Sequence, residues 1–272
     1  RKSASAFKNC RRQHEGVRRY ININGKLKMK EIVIIPAYNE ETTIGTVIDE
    51  INKHRDISIL VINDGSEDRT AEYAGREGAM VITMRKNKGI GAAMKAGYQY
   101  AIEHNFDIAV QIDADGQHDI SKLSYLISKI EDEQYDMAIG SRYVAKTNYK
   151  APVFRYIGSN YCSLLIRFLH HITIRDPTSG YRAVNKDVMK FFVSNYLSDY
   201  PEVPSLSNLL IHNYSVCEVP VEMRQRQGGK SSISVWDAII YFYKITGACF
   251  HNRYGNRSKK RGGGRNAGRT CE

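Results

Sequence analysis

The sequence predicts an α/β fold, a single domain built on a mostly parallel sheet flanked by helices. Three observations carry that prediction. Short β-branched runs recur through the first half and alternate with stretches whose apolar residues fall at i, i+3 and i+4. A polar cluster stands directly behind each of four successive runs. The 272 residues are 42 % apolar and 25 % charged, an ordinary globular balance with ample chain for one large core.

In order, EIVIIP (31–36) reads as a strand and EETTIGTVIDEINKH (40–54) as a helix; SILVIND (58–64) is a strand and DRTAEYAGREG (68–78) a helix. AMVITMR (79–85) and DIAVQID (107–113) continue the strands, separated by the helix GIGAAMKAGYQYAIEHN (89–105). SKLSYLISKIEDE (121–133) is a helix and DMAIGSRY (136–143) a strand. This is the rhythm of βαβ units, whose right-handed connections bring all strand C-termini to one edge, where ligands bind. The second half is less regular. RYIGSNYCSLLIRFLHH (155–171) reads as a helix, RDPTSGYRAV (175–184) as a loop entering a strand, and NKDVMKFFVSNYL (185–197) and SLSNLLIHN (205–213) as helices. VCEVPVEMRQ (216–225) is strand-like, and 233–250 is an amphipathic segment.

Charge is unevenly placed. Of the net +11, residues 1–30 carry +9 and residues 251–272 carry +6, which leaves the 31–250 body at −4. Residues 1–28 are polar and aperiodic, a basic leader or non-native extension before Met29, with a disordered native arm as the alternative; 251–272 is an Arg/Gly tail. Five scattered cysteines with no C-x-x-C pair indicate neither a zinc site nor a disulfide framework and fit a reduced, cytoplasmic compartment. No run reaches the roughly 20 apolar residues of a bilayer span.

The four polar clusters are PAYNEE, NDGSED, RKNKGIG and DADGQHD, and together they gather Glu40, Asp64, Lys88, Asp113 and Asp115 on one sheet edge. A lone Asp behind a strand is usually a helix cap, but four clusters at four strand ends make that a poor account. Carboxylates as close as Asp113 and Asp115 resist ionising together unless a cation sits between them. Hard oxygen ligands suit Mg²⁺ or Mn²⁺, which take one or two carboxylates plus substrate phosphates. Lys88, with Gly89 and Gly91, stands at the mouth of a helix that favours anions, without the spacing of a Walker loop.

Taken in order, IPAYNEE, VINDGSEDRT, NKGIGAAMKAG, QIDADGQH, IGSR and DPTSGYR resemble the family-2 glycosyltransferases of GT-A (Rossmann-like) fold, and most closely the polyprenyl-phosphate sugar synthases, the group of dolichyl-phosphate mannose synthase. The resemblance spans roughly 31–232, with the domain set at 29–232. It implies that Pro36, Tyr38, Glu40 and Ala114 line the nucleotide pocket and that Asp64 holds the base with Ile62 beside it; Lys88, at its anion-favouring helix mouth, is counted with the nucleotide-binding residues. It implies that Asp113, Asp115 and Gln117 bind the metal and diphosphate and that Arg142 approaches the phosphates. The family's closing R-x-x-G-x-S-K element is represented by Arg226, Gly229 and Ser231, with Ser232 in the lysine position and Lys230 as substitute. Asp176 is a general base if the acceptor is a glycan hydroxyl. If the acceptor is a polyprenyl phosphate no base is needed, and Arg155, Arg182, Arg226 and Lys230 steer its phosphate. The two roles stay open at this level.

The expected reaction is inverting transfer of a sugar from a nucleoside-diphosphate sugar to a polyprenyl phosphate, or alternatively to a cell-surface glycan, by an enzyme peripheral on the inner face of the cytoplasmic membrane. Segment 233–250 with the basic tail is the candidate membrane contact, packing onto the domain being the alternative. The basic ends also raise nucleic-acid binding, which the sequence disfavours. The body shows no basic face interleaved with aromatics, and the DADGQHD carboxylates repel phosphate unless a metal is present.

Overall fold

In the computed structural model, residues 29–145, 153–195, 201–224 and 235–255 are described, without the side chains of 153–155, 235–241 and 254–255. Seven strands form one sheet: β1 Glu31–Ala37, β2 Ser58–Asn63, β3 Met80–Thr83, β4 Ile108–Gln111, β5 Met137–Ser141, β6 Arg182–Asn185 and β7 Val216–Pro220. The helices are α1 Ile44–His54, α2 Thr70–Arg76, α3 Ile90–Glu103, α4 Leu123–Glu131, α5 Val153–His170, α6 Lys186–Asn195, α7 Glu202–Ile211 and α8 Val235–Phe250. Every strand and helix anticipated in the described residues is present. Most are trimmed by a few residues, because polar stretches such as Glu40–Thr43 form turns before the apolar periodicity begins.

The strand order is β3-β2-β1-β4-β6-β5-β7. All neighbours run parallel except β6, which lies antiparallel between β4 and β5. The sequence of 175–184 indicates a loop entering a strand, and the strand's reversed direction appears first in the structure. Successive residues of β1 feed opposite cores: Ile32 and Ile34 face α3, while Val33 and Ile35 face α1. With both sides covered the strand is apolar from Ile32 to Ala37, as buried parallel strands are. Gly97 of α3 makes the closest approach, since a Cβ there would lie 2.4 Å from the Ile34 side chain.

The second core layer, under α3, α5, α6 and α7, also takes Ile245 and Cys249 of α8. Burial pushes the Cys249 thiol up to about 11 and the Cys162 thiol of α5 up to about 12. Segment 233–250 was expected either at a membrane surface or packed on the domain; its described residues do pack, turning one face inward. The Arg/Gly tail expected from 251 begins with a short π-helical turn, His251–Gly255, in which Asn252 donates to the Pro204 carbonyl of α7. Residues 1–28 and 256–272 lie outside the described residues. Among the described residues no helix is long and apolar enough to cross a membrane.

Candidate active site

The C-terminal ends of β1, β2 and β4 open on one cleft of about 260 Å³. Pro36, Ala37, Tyr38 and Glu40 line it from β1, Asp64 from β2, and Asp113, Ala114 and Asp115 from β4. Asn87, Gly89, Ile90 and Ala93 close it from the mouth of α3. Seven of the residues expected to bind nucleotide therefore meet in one place. Ile62 does not, because it is fully buried one layer below, in the core under α3.

The rim is stitched by side chain–backbone hydrogen bonds. Asp64 is 4 % exposed and accepts from the backbone N–H of Lys88 at 2.9 Å and of Gly89 at 2.7 Å. Lys88 thus contributes its amide to the rim, with its side chain in solvent. Asp68 binds the loop after β1 to the loop after β2, accepting from the amides of Glu41 and Thr70 and from the Thr70 hydroxyl. Burial pushes the Asp68 carboxyl up, but these bonds outweigh it and the carboxyl titrates below its usual range.

Asp113 is held by a residue that sequence reasoning passed over. The His118 ring is 2 % exposed and stacks on Tyr181, with centroids 4.8 Å apart and planes within 9°. Its Nδ1 accepts the Asp113 backbone N–H at 3.2 Å, so the proton sits on Nε2, which lies 3.3 Å from Asp113 Oδ2. Burial raises the Asp113 carboxyl, yet His118, the Gln111 amide and the Arg142 charge outweigh it and hold the group below the usual range. Its other oxygen, Oδ1, is buried and accepts no hydrogen bond of regular geometry. Gly180 makes room for this arrangement, since a Cβ there would stand 3.0 Å from both carboxylate oxygens.

That donor set fits a hard divalent cation. Oδ1 is an ionised oxygen without a good protein donor, and Asp115 stands beside it on the cleft wall. Among the described residues no group of three or more His, Cys, Asp or Glu could by itself hold a metal ion. A cation held here would take further ligands from substrate oxygens, as Mg²⁺ and Mn²⁺ do at phosphate sites. Gln117, expected as a third ligand, reaches elsewhere: its amide donates to the Arg224 carbonyl at 3.4 Å, and the Arg224 amide returns a bond to its backbone oxygen.

The arginines and Asp176 resolve differently from expectation. Asp176 is fully buried and takes Arg142 Nε and Nη2 at 2.6 Å each, together with the Arg142 backbone N–H, the Thr178 hydroxyl and the Ser159 hydroxyl. The pair anchors the 176–180 loop to the end of β5. Arg182 is 1 % exposed and donates to the carbonyls of Ser179, Pro177 and Glu202, so it braces the same loop instead of reaching a phosphate. Arg226 and Lys230 lie outside the described residues, as does the side chain of Arg155. Glu202, in the first turn of α7, went unnoticed in the sequence. Burial pushes its carboxyl up, Arg182 opposes this, and the nearby charge of Asp113 adds to the rise.

Residues 32–192 match the family model described as glycosyl transferase family 2. The polyprenol monophosphomannose synthase of Mycolicibacterium smegmatis is 32 % identical over 216 residues, 75 % of this chain and 81 % of that protein. The undecaprenyl-phosphate mannosyltransferase of Micrococcus luteus is 28 % identical over 230 residues, covering 78 % of this chain and 92 % of its own length. Among solved structures, the glucosyl-3-phosphoglycerate synthase of Mycobacterium tuberculosis, crystallised with Mn²⁺, UDP and glucosyl-3-phosphoglycerate, superposes with a TM-score of 0.63 over 84 % of this chain and 80 % of that one at 20 % identity, a likeness of fold. With its parallel sheet, its strand-end cleft and this family match, the chain is a GT-A glycosyltransferase and belongs to glycosyl transferase family 2.

Proposed function

We propose that this enzyme moves a hexose from a nucleoside-diphosphate sugar to a polyprenyl phosphate, with inversion at the anomeric carbon, at the cytoplasmic face of a membrane. The observation that carries the donor half is the facing of Asp64 and the Asp113–Asp115 pair across one strand-end cleft. Asp64 and the 87–90 rim receive the nucleoside. Asp113 and Asp115 face the diphosphate. Mg²⁺ or Mn²⁺ bound at these two carboxylates supplies neutralisation of the negative charge that builds on the departing nucleoside diphosphate. The solved structural relative that carries Mn²⁺ and UDP supports this reading.

The acceptor half is supported by relatives whose names specify polyprenyl and undecaprenyl phosphates. A phosphate acceptor is already an anion and needs no base. This agrees with Asp176, the carboxylate considered for that role, being closed off by Arg142. A second reading, transfer to a glycan hydroxyl, needs a base, and Glu202, whose carboxyl burial pushes up and which feels the charge of Asp113, is the candidate.

Two measurements test the proposal. Binding of nucleoside diphosphate should require Mn²⁺ in the native protein and lose that requirement, with most of its affinity, in the double variant D113N/D115N. Unchanged Mn²⁺-dependent binding by the double variant would sink the donor assignment. Incubation of labelled nucleotide sugars with membranes should then give an organic-extractable, mild-acid-labile product whose formation survives E202Q. Label appearing instead in soluble glycan, with E202Q inactive, would promote the hydroxyl reading.

A further inference from the structure

Four residues beyond the end of β7, Arg224 is tied to the loop that carries Asp113 and Asp115. Its backbone N–H donates to the Gln117 carbonyl at 2.9 Å, and its own carbonyl accepts the Gln117 side-chain amide at 3.4 Å. Its guanidinium reaches the other way, to Glu50 of α1, where Nη1 donates to Oε2 at 2.8 Å and Nη2 meets Oε1 at 2.7 Å. That helix is a firm support, since Ile44, Val47, Ile48 and Ile51 are buried along its inner face. The loop also approaches α1 directly at Gly116, whose φ of +72° disfavours any side chain and where a Cβ would lie 3.8 Å from Val47 Cγ2.

From Arg224 and Glu50, each metal-facing carboxylate is a short step away. The Gln117 backbone N–H donates to Asp115 Oδ1 at 3.1 Å, so fixing residue 117 fixes the oxygen it holds. On the other side, Tyr181 is fully buried and stacks on His118, the ring that orients Asp113. Burial pushes the Tyr181 hydroxyl up, and the negative charges of Asp119 and Glu50 add to the rise. Glu50 therefore stands behind the Tyr181–His118 stack, and Arg224 balances its charge there.

The Arg224 and Glu50 side chains keep 48 % and 21 % of their exposure, and ion pairs this open add little to stability. Support behind a metal ligand counts for more than its own strength, because the ligand oxygens must be aimed before the cation arrives. An arginine suits the task, since its planar fork takes both Glu50 oxygens and so fixes where its backbone sits.

We propose that Arg224 is a positioning residue for the cation site: with its guanidinium fixed by Glu50, it holds the 113–119 loop so that Asp113 and Asp115 present oxygens to one metal ion. The purpose of that hold rests on the metal–diphosphate reading of the cleft, while the hold itself does not.

The test compares the full native chain with R224A, E50A, E50A/R224A and the exchanged pair E50R/R224E. Mn²⁺ affinity is read from the paramagnetic resonance of free Mn²⁺ at saturating UDP, and again at saturating GDP. Loop order is read from hydrogen exchange of residues 113–119 in the metal-free protein. R224A and E50A should each weaken Mn²⁺ binding at least about threefold, below the roughly tenfold or more of a group that touches the ligand itself. E50A/R224A should bind no more weakly than R224A, since the two side chains act as one unit, and E50R/R224E should regain most of the native affinity. Exchange across 113–119 should quicken in both single variants, with the melting temperature moved by no more than about 3 °C. Native Mn²⁺ affinity in R224A and E50A would overturn the proposal. So would a loss that comes with a melting temperature several degrees lower and that E50R/R224E does not restore, which would make the pair a prop of the fold. Nucleotide binding indifferent to Mn²⁺ in the native protein would instead remove the metal reading. The exchange measurement would then decide the hold by itself, faster exchange in R224A keeping it and unchanged exchange ending it.

Discussion

Arg142 and Asp176, 34 residues apart, form a two-pronged ion pair with both contacts at 2.6 Å, in a place where the side chains retain 6 % and 0 % of their exposure. Such a pair is costly to break from one side, because the survivor is left as a buried charge, at about 3–5 kcal/mol. Asp176→Asn should therefore lower the melting temperature by about 10 °C, at roughly 2–4 °C per kcal/mol for a chain of this size. Transfer per folded molecule should persist at low temperature. Calorimetry paired with an assay on the folded fraction checks this; full stability with abolished transfer would return Asp176 to the role of base.

Asp64 joins two tasks, since its oxygens hold the Lys88 and Gly89 amides on the rim of the cleft. Asp64→Ala should weaken nucleotide-sugar binding by about 1.5–3 kcal/mol, the scale of hydrogen bonds to a charged group. It should also release the amides of residues 88 and 89 to faster hydrogen exchange. Calorimetric titration and exchange mass spectrometry read the two effects, and an unchanged dissociation constant would count against the assignment.

His118 acts through Asp113, orienting its carboxylate from the Nε2 side and its backbone from the Nδ1 side. Partners that orient a metal ligand typically contribute 10–100-fold to metal affinity. His118→Ala should reduce the Mn²⁺ affinity of the nucleotide-bound protein by at least about tenfold. His118→Gln, which can still present an N–H, should recover part of it. Equal Mn²⁺ affinity in all three proteins would confine His118 to packing against Tyr181.

Asp68 gives a pH dependence of definite sign. Burial alone would raise its carboxyl, but the Thr70 and Glu41 bonds bring the folded value below the usual one. Its contribution is therefore present above the ordinary carboxylate range and lost as pH falls through the lowered folded value. Native protein should lose more stability than D68N on acidification through that window, and the difference between their unfolding curves should shrink toward zero at the acid end. Parallel curves at every pH would show that Asp68 does not hold the two cleft loops together.

The parallel sheet and most of the cleft were legible in the sequence. β-branched runs alternating with 3.6-residue periodicity imply strands whose C-termini share an edge, and residues just behind those strands are carried there by the backbone, whatever their side chains touch. That is why Pro36, Tyr38, Glu40, Asp64, Asp113, Ala114 and Asp115 line one cleft as expected. Gln117, two residues further into the loop, escaped that logic because a turn aims its amide at Arg224. The antiparallel insertion of β6 was not legible, since a run of four residues reads the same in either direction. Nor were the fates of Arg142, Asp176 and Arg182, for an arginine's type announces an anion or a carbonyl partner, while burial and contacts far along the chain decide which. Periodicity likewise marked α5 as a helix but said nothing of its cover. One apolar face meets the core and the other meets solvent because the neighbouring helices, and not the helix's own sequence, determine what is buried.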